Sequence, residues 1–456
     1  MTTTLPVRSS RNAGPTRRAL RRWVTWPSLV LVAAVATWIV LILRNVPCRM
    51  RYSGSAPDVY ALMCYSDVWP LYSARGLMEG HTPYFDTGSH QVLEYPVLTG
   101  LLLEIERLIT AVVAPQGRDL TGAEQVFATR VFFDVNLVVM FAFFLITVLA
   151  HLRISRDRPG DVLMLAAAPV VILTGVINWD LPAVALTSLA ILAWARSRPL
   201  IAGVLLGLAT AAKLYPVLLL GPLLLLCLRA NRLGAFGRTL GGFLAGWGLI
   251  NAPVFLFARD SWLAFWSFHS DRGADLGSVW YALALAGVDV PDVSRWSLVL
   301  LVAGCALIGL LILLAPRRPR FGQVAFLVVI VFVVTGQVYS PQYVLWLAPL
   351  LLLARPRWGE WVVFTLAEIT YFGAIWLHLG GQLQPGDGPD SLYILAIAIR
   401  VIVQLALSAL VVRDILAPQH DPLRVPGADD QVGGVLDHAP DAAWFTRLQP
   451  RRGRPA

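Results

Sequence analysis

A small set of polar side chains stands out against an apolar chain: Asp67 and Glu94, Asn178 and Asp180, Lys213, His269 with Asp271 and Arg272, and Tyr339, Ser340, Gln342 and Tyr343. The cations among them, Lys213, His269 and Arg272, suit an anion such as a lipid phosphate. A carboxylate beside them could accept the proton of an attacking hydroxyl. Together these residue types describe transfer of a group from a lipid phosphate to an alcohol. Asp67 is the candidate base. It sits in YSDVWPLYSARGL (65–77), just after the first apolar segment.

Each of these residues also has a plainer role open to it. An acid in a long loop can simply be solvated. Asn178 and Asp180 can cap helices through short polar side chains. Lys213 can extend toward lipid head groups. Ser340 and Pro341 read as a helix start. The weight lies in their convergence, which depends on the elements that carry them.

Those elements are membrane helices. The chain has 456 residues, 57% hydrophobic and 14% charged, against about a quarter charged in soluble domains. A helix needs about 20 apolar residues to cross a bilayer. Candidate spans lie at 25–44, 128–152, 161–177, 180–196, 199–213, 215–229, 238–257, 297–315, 321–339, 342–354, 359–379 and 392–416. Several are short, which suggests tilt or shielding by protein. The stretch 96–115 carries Glu104, Glu106 and Arg107 in its middle. It reads as an interfacial helix, because charges at a helix centre in lipid are costly.

With 96–115 at the interface, the arginine-rich segments RRALRRW (17–23), RISRDR (153–158), RSR (196–198), RANRLGAFGR (229–238), RRPR (317–320) and RPR (355–357) all fall on one side. Basic loops mark the cytoplasmic side. The expected organisation is therefore a basic cytoplasmic N-terminus (1–24), a transmembrane domain (25–416) and a polar, disordered cytoplasmic tail (417–456). Two long outer loops are expected, at 45–127 and 258–296, and every residue of the opening set falls on the outer side. The basic charge belongs to membrane topology, so membrane lipids are the expected surroundings and nucleic acid is not an expected partner. Cys48 and Cys64 share the first outer loop, where a disulfide is open to them. No CxxC points to a metal knuckle. A multi-span transporter or lipid flippase is the alternative reading, but no matched halves are visible.

Several stretches carry a resemblance: SDVWPLYSARGLMEGHTPYFD (66–86), EYPVLTGLLL (94–103), the NWD to KLYP region (178–226), FHSDRGADLGSVWY (268–281) and VYSPQYVLWLAPLLLL (338–353). Together they resemble the GT-C superfamily of polyprenyl-phosphate-dependent glycosyltransferases, and more narrowly family 87, the actinobacterial α-mannosyltransferases. The resemblance implies an all-α GT-C fold of about a dozen spans, with a long first outer loop carrying interfacial helices. It implies Asp67 as base, preferred over Asp58, which lacks the following Tyr72 and Tyr84 spacing. It implies a polyprenyl-phosphate-linked hexose donor, with mannose expected, and inversion to an α-mannoside. The acceptor would be a glycolipid, lipoglycan or polysaccharide at the outer face of the plasma membrane. No metal or other cofactor is expected. Lys213, His269, Arg272, Tyr72, Asp180, Gln342 and Tyr343 are the candidate donor-binding residues. Trp69, Tyr72, Tyr84, Trp179, Trp280 and Tyr281 are the aromatics suited to stacking on sugar rings.

Overall fold

The computed structural model describes residues 25–51, 58–86, 90–383, 390–424 and 430–448. The basic stretch 1–24 and part of the loop at 380–390 lie outside them. Among the described residues all regular structure is helical. In chain order the elements are α1 (Trp26–Arg51), α2 (Val68–Ala74), α3 (Val97–Ala111) and α4 (Gly122–Ile154). There follow α5 (Leu163–Ala166), α6 (Pro169–Thr174), α7 (Leu181–Ala195), α8 (Pro199–Ala212), α9 (Leu220–Arg229) and α10 (Leu233–Phe257). The second long loop holds α11 (Arg259–Ser270) and α12 (Val279–Leu285). The chain ends with α13 (Val293–Leu314), α14 (Phe321–Thr335), α15 (Val344–Ala354), α16 (Trp358–Leu379), α17 (Ser391–Leu416) and α18 (Ala443–Leu448).

Among the described residues six helices, α1, α4, α10, α13, α16 and α17, are long and apolar enough to cross a bilayer. Between them lie six shorter apolar units, Pro159–Thr174, Leu181–Ala195, Pro199–Ala212, Tyr215–Arg229, Phe321–Thr335 and Pro341–Ala354. Each expected span has its counterpart. The division has a physical basis. All of α15, and most of α7 and α14, is buried against protein, so these helices need not match a lipid thickness. The long helices α10 and α13 leave Leu244, Leu249, Leu298, Leu307 and Leu314 exposed, as a lipid-facing surface requires. In α3 the mid-helix charges are matched. Arg107 pairs with Glu104, and buried Glu106 accepts from Trp179 Nε1 at 2.9 Å and Asn136 Nδ2 at 3.2 Å.

One helix pair is packed backbone to backbone. α8 contributes Gly203 and Gly207, and α10 contributes Gly242 and Gly246. A Cβ on Gly203 would fall 2.0 Å from Thr239 O, and one on Gly207 2.3 Å from Phe243 O. A Cβ on Gly242 would fall 2.3 Å from Leu200 O, and one on Gly246 2.4 Å from Val204 O. Small residues four apart permit such an approach. This contact fixes the axis of α8, at whose end Lys213 leaves the helix in an extended conformation.

The expected disorder of 417–456 is corrected for 417–424 and 430–448. Asp421 pairs with Arg320 at 2.8 Å, Asp441 with Arg229 at 2.8 Å and with Arg318 at 3.0 Å, and Asp430 Oδ2 accepts from Phe321 N at 3.1 Å. Phe445 lies under the Arg229 guanidinium at 4.1 Å. The physical reason is charge matching. Arg229 and Arg320 are buried and the Arg318 side chain is only 11% exposed; a buried cation needs a partner, which the tail aspartates supply.

Candidate active site

The loop bearing Asp67 is anchored before and after that residue. Cys48 near the end of α1 is disulfide-bonded to Cys64, the pairing that spacing alone left open. Ser66 Oγ donates to Val176 O at 2.6 Å, and Asp67 N donates to Ile177 O at 2.8 Å. Beyond it, α2 lies on α4, with Trp69 stacked on Phe133 at 3.9 Å and Tyr72 on Phe132 at 4.3 Å.

The Asp67 carboxylate faces a cavity of about 410 Å³. Its Oδ1 accepts from Tyr65 Oη at 2.8 Å, and its Oδ2 from Asn178 Nδ2 at 2.7 Å. Asn178 is a bridge: its Oδ1 accepts from Lys213 Nζ at 3.3 Å and from Trp179 N at 2.6 Å. Its Nδ2 also donates to Tyr95 Oη at 2.6 Å. Lys213 Nζ sits 3.6 Å from Asp180 Oδ1 and 5.0 Å from the Tyr95 ring centroid. Its side chain is only 15% exposed, so it is turned inward rather than extended toward solvent. Burial raises the Asp67 pKa above the ordinary carboxylate value, opposed by the two hydrogen bonds and by the Lys213 charge.

Both long loops close on this cavity. Glu94, Tyr95 and Pro96 come from the first, and Phe265, Phe268, His269 and Arg272 from the second. Glu94 is held by Arg75 through contacts of 2.7 and 2.9 Å. Arg272 is held by Asp275 at 2.7 Å and lies over Phe268. His269 is an exposed residue whose ring packs edge-on against Phe265 at 4.6 Å. That packing, then the charges of Arg272 and Lys213, push its pKa down to about 4. A neutral imidazole can donate one hydrogen bond to an anion. Gln342 is buried, and its Oε1 has no hydrogen-bond partner among the described residues. Tyr343 stacks on Trp346 at 3.8 Å, and Trp346 stacks on Tyr215 at 4.6 Å.

Most of the expected residues therefore meet: Asp67, Lys213, His269, Arg272, Gln342 and Tyr343 all line the cavity. Asp180 lies beneath it, fully buried, as the partner of Lys213 and of Trp346 Nε1 at 2.8 Å. It stands at the start of α7 without making a side-chain cap bond. Tyr72 is displaced from the expected set. Asp67 already has helical dihedrals, and five residues around a helix is about 140°, which turns Tyr72 into the α4 contact. Pro70 and Leu71, nearer in angle, line the cavity instead. Asp58 accepts from Ala61 N at 2.9 Å in an exposed turn and does not line the cavity.

The expected sugar-stacking aromatics are also displaced. Trp69, Tyr72, Tyr84, Trp179, Trp280 and Tyr281 are engaged elsewhere and do not line the cavity; Tyr84 Oη, for example, donates to Tyr95 O at 2.8 Å. Besides Phe265 and Phe268, the aromatic wall is Tyr65, Tyr95, Tyr215, Phe332, Tyr343 and Trp346. Of these, sequence reasoning singled out only Tyr343. Tyr95 directly follows Glu94 and Tyr65 stands two residues before Asp67, and that nearness to an acid is the available signal.

The profile of glycosyltransferase family 87 matches residues 109–336, half of the chain. The chain belongs to glycosyltransferase family 87. The matched stretch contains Asn178, Asp180, Lys213, His269 and Arg272, and Asp67 precedes it. A comparison with curated proteins finds no match. Family membership and the apolar helices together make this a membrane glycosyltransferase of family 87, with sugar donor and acceptor as its substrates.

Proposed function

We propose that this glycosyltransferase moves a hexose, with mannose expected, from a polyprenyl-phosphate donor to an acceptor hydroxyl at the outer face of the plasma membrane. The observation that carries this reading is the bridge Asp67–Asn178–Lys213: one amide holds a carboxylate and an ammonium side by side at the wall of a cavity large enough for a sugar. A base and an anion-binding cation on one wall suit attack by a hydroxyl and departure of a phosphate.

In the proposed step the acceptor oxygen forms a bond to the anomeric carbon while the bond from that carbon to the phosphate oxygen breaks. Asp67 takes the hydroxyl proton. The electron pair leaves with the lipid phosphate, whose charge Lys213 and Arg272 offset, with a hydrogen bond from His269. A single in-line displacement inverts the anomeric centre, so a β-linked donor gives an α-glycoside. Tyr343 and Tyr95 line the cavity where the sugar would sit, and Oε1 of Gln342, without a partner among the described residues, could accept from one of its hydroxyls. No step needs a metal ion. Acceptors compatible with an outward cavity are a glycolipid, a lipoglycan or a polysaccharide.

The test is transfer from radiolabelled polyprenyl-phosphomannose by protein in nanodiscs, wild type against Asp67→Asn. Transfer by wild type that is lost in the variant at equal protein yield is the expected result. Wild-type turnover in Asp67→Asn removes the assigned base. No transfer from any lipid-phosphate sugar removes the donor class.

A further inference from the structure

We propose that Glu79, His81 and His90 form a binding site for a divalent cation of the zinc type, in the first long loop and apart from the active-site cavity. Glu79 Oε2 lies 3.1 Å from His90 Nε2 and 3.5 Å from His81 Nε2. One ligand atom from each of the three residues lies within 4.8 Å of the others. A tetrahedral ion with nitrogen and oxygen ligands at about 2.0–2.1 Å keeps those ligands roughly 3.3 Å apart. The two edges to Glu79 bracket that value, and a small rotation of either imidazole closes the third.

The surroundings are arranged for it. The His81, His90 and Glu79 side chains are 12%, 17% and 27% exposed, sheltered yet reachable. His81 Nδ1 lies 2.7 Å from Asp86 Oδ2. That carboxylate is close to the far ring nitrogen but not aligned to hydrogen-bond to it; a small turn of the ring would let it set the tautomer that directs the Nε2 lone pair to a metal. Gly76 has φ +72°, and a Cβ there would fall 2.6 Å from His90 Cδ2 and 3.0 Å from His81 Cδ2. The turn at 76–81 thus lets both rings close over its backbone. Two imidazoles and one carboxylate favour zinc and its neighbours over calcium or magnesium, which take oxygen ligands. None of these residues lines the active-site cavity. An ion here would cross-link the turn at 76–81 to the stretch that leads into Glu94, the partner of Arg75 at the cavity wall.

The competing arrangement is a hydrogen-bonded cluster with Arg118 as its cation. Arg118 Nε lies 3.2 Å from Glu79 Oε2, and its Nη2 lies 3.4 Å from His81 Nε2. The Arg118 side chain is 66% exposed and free to swing outward. It and a metal ion would compete for the same oxygen.

The experiment uses full-length protein carrying a tag without histidine, stripped with EDTA and titrated with zinc chloride. Bound zinc is counted by mass spectrometry, and affinity is read by competition with a chromophoric chelator. The expected result is one zinc per chain in wild type. Binding should weaken at least about tenfold in His81→Ala, His90→Ala and Glu79→Gln, weaken about tenfold in Asp86→Asn, and tighten in Arg118→Ala. Zinc should also raise the melting temperature of wild type and not of His81→Ala. Equal zinc binding by wild type and Glu79→Gln, or none in wild type at micromolar zinc, overturns the proposal. Glu79→Gln keeps the polar contacts of the cluster, so it tests the site even where a histidine variant fails to fold. Sugar transfer is no part of the readout, so the outcome is independent of the transferase reading.

Discussion

Replacing Tyr65 with phenylalanine should move the acid limb of the transfer reaction to higher pH. Ionised Asp67 is held by two donors, Tyr65 Oη at 2.8 Å and Asn178 Nδ2 at 2.7 Å, with Lys213 behind the amide. Burial and the Asp180 charge act in the opposite sense and leave the Asp67 pKa raised. A hydrogen bond to a charged group contributes about 1.5–3 kcal/mol, and one pH unit corresponds to about 1.36 kcal/mol. Removing the tyrosine hydroxyl therefore raises the Asp67 pKa by a further 1–2 units or so. A base works in its ionised form, so kcat/KM begins to fall at a pH higher by that amount as the solution is acidified. Well above both pKa values the rate should change little. Phenylalanine keeps the ring contacts with Tyr60 at 5.8 Å and Trp376 at 5.3 Å, so the loop should hold its place. The assay is initial-rate transfer across the acid range for wild type and Tyr65→Phe, with Asp67→Asn as the floor at about 10²–10⁴-fold below wild type. An acid limb that stays in place, or moves to lower pH, refutes Asp67 as the titrating base.

Lys213→Met should abolish transfer and also destabilise the fold, because buried Asp180 loses its counter-charge and keeps only the Trp346 hydrogen bond, at a cost of up to about 3–5 kcal/mol. The double variant Lys213→Met with Asp180→Asn should recover melting temperature but not activity; recovery of both would exclude Lys213 from phosphate binding. Asp421→Ala should lower the melting temperature by removing the partner of buried Arg320, again by about 3–5 kcal/mol, whereas a free tail would leave melting unchanged. Gly203→Val should depress both stability and transfer, since its side chain meets the Thr239 carbonyl of α10 and nothing there can yield except the helix itself. Normal melting and turnover in that variant would show that the α8–α10 contact does not position Lys213.

Some of the residues legible in the sequence share one property: they are costly where they stand. A lone lysine ending an apolar helix, an aspartate after NW, and a glutamine between two spans each imply a partner, because unsatisfied polar groups in such surroundings are expensive. That cost marked Lys213, Asp180 and Gln342, while Asp67, His269 and Arg272 were marked by falling on the same outer side and by the resemblance, without any sign of which pairs would form. Aromatic residues carry no such signal. Trp69 and Tyr65 are equally at home against protein or against a ligand, and only the helical angle of α2 sends Trp69 and Tyr72 to α4 while Tyr65 reaches the cavity. The fold class was legible for a related reason, since apolar length is a local property. The burial of α14 and α15 inside the bundle is not local, and their length alone could not show it.

The tail is the instructive opposite. It has no apolar periodicity, and a polar segment rich in proline and glycine reads as unstructured. Its aspartates, however, find partners between 101 and 212 residues earlier, at Arg320 and Arg229. No window short enough to reveal periodicity contains both members of such a pair. The arginines that mark one side of the membrane in the sequence thus have a second role in the structure. Arg320 also donates to Leu353 O at 2.8 Å and Ala354 O at 2.6 Å, satisfying the C-terminal carbonyls of α15. The other end of α15 carries Trp346, which holds Asp180 and through it Lys213. A charge pair made by the tail at one end of the bundle is therefore linked, through a single short helix, to the cation at the active site. Loss of Asp421 should loosen the C-terminal end of that helix first and reach the cavity only through Trp346 at its other end.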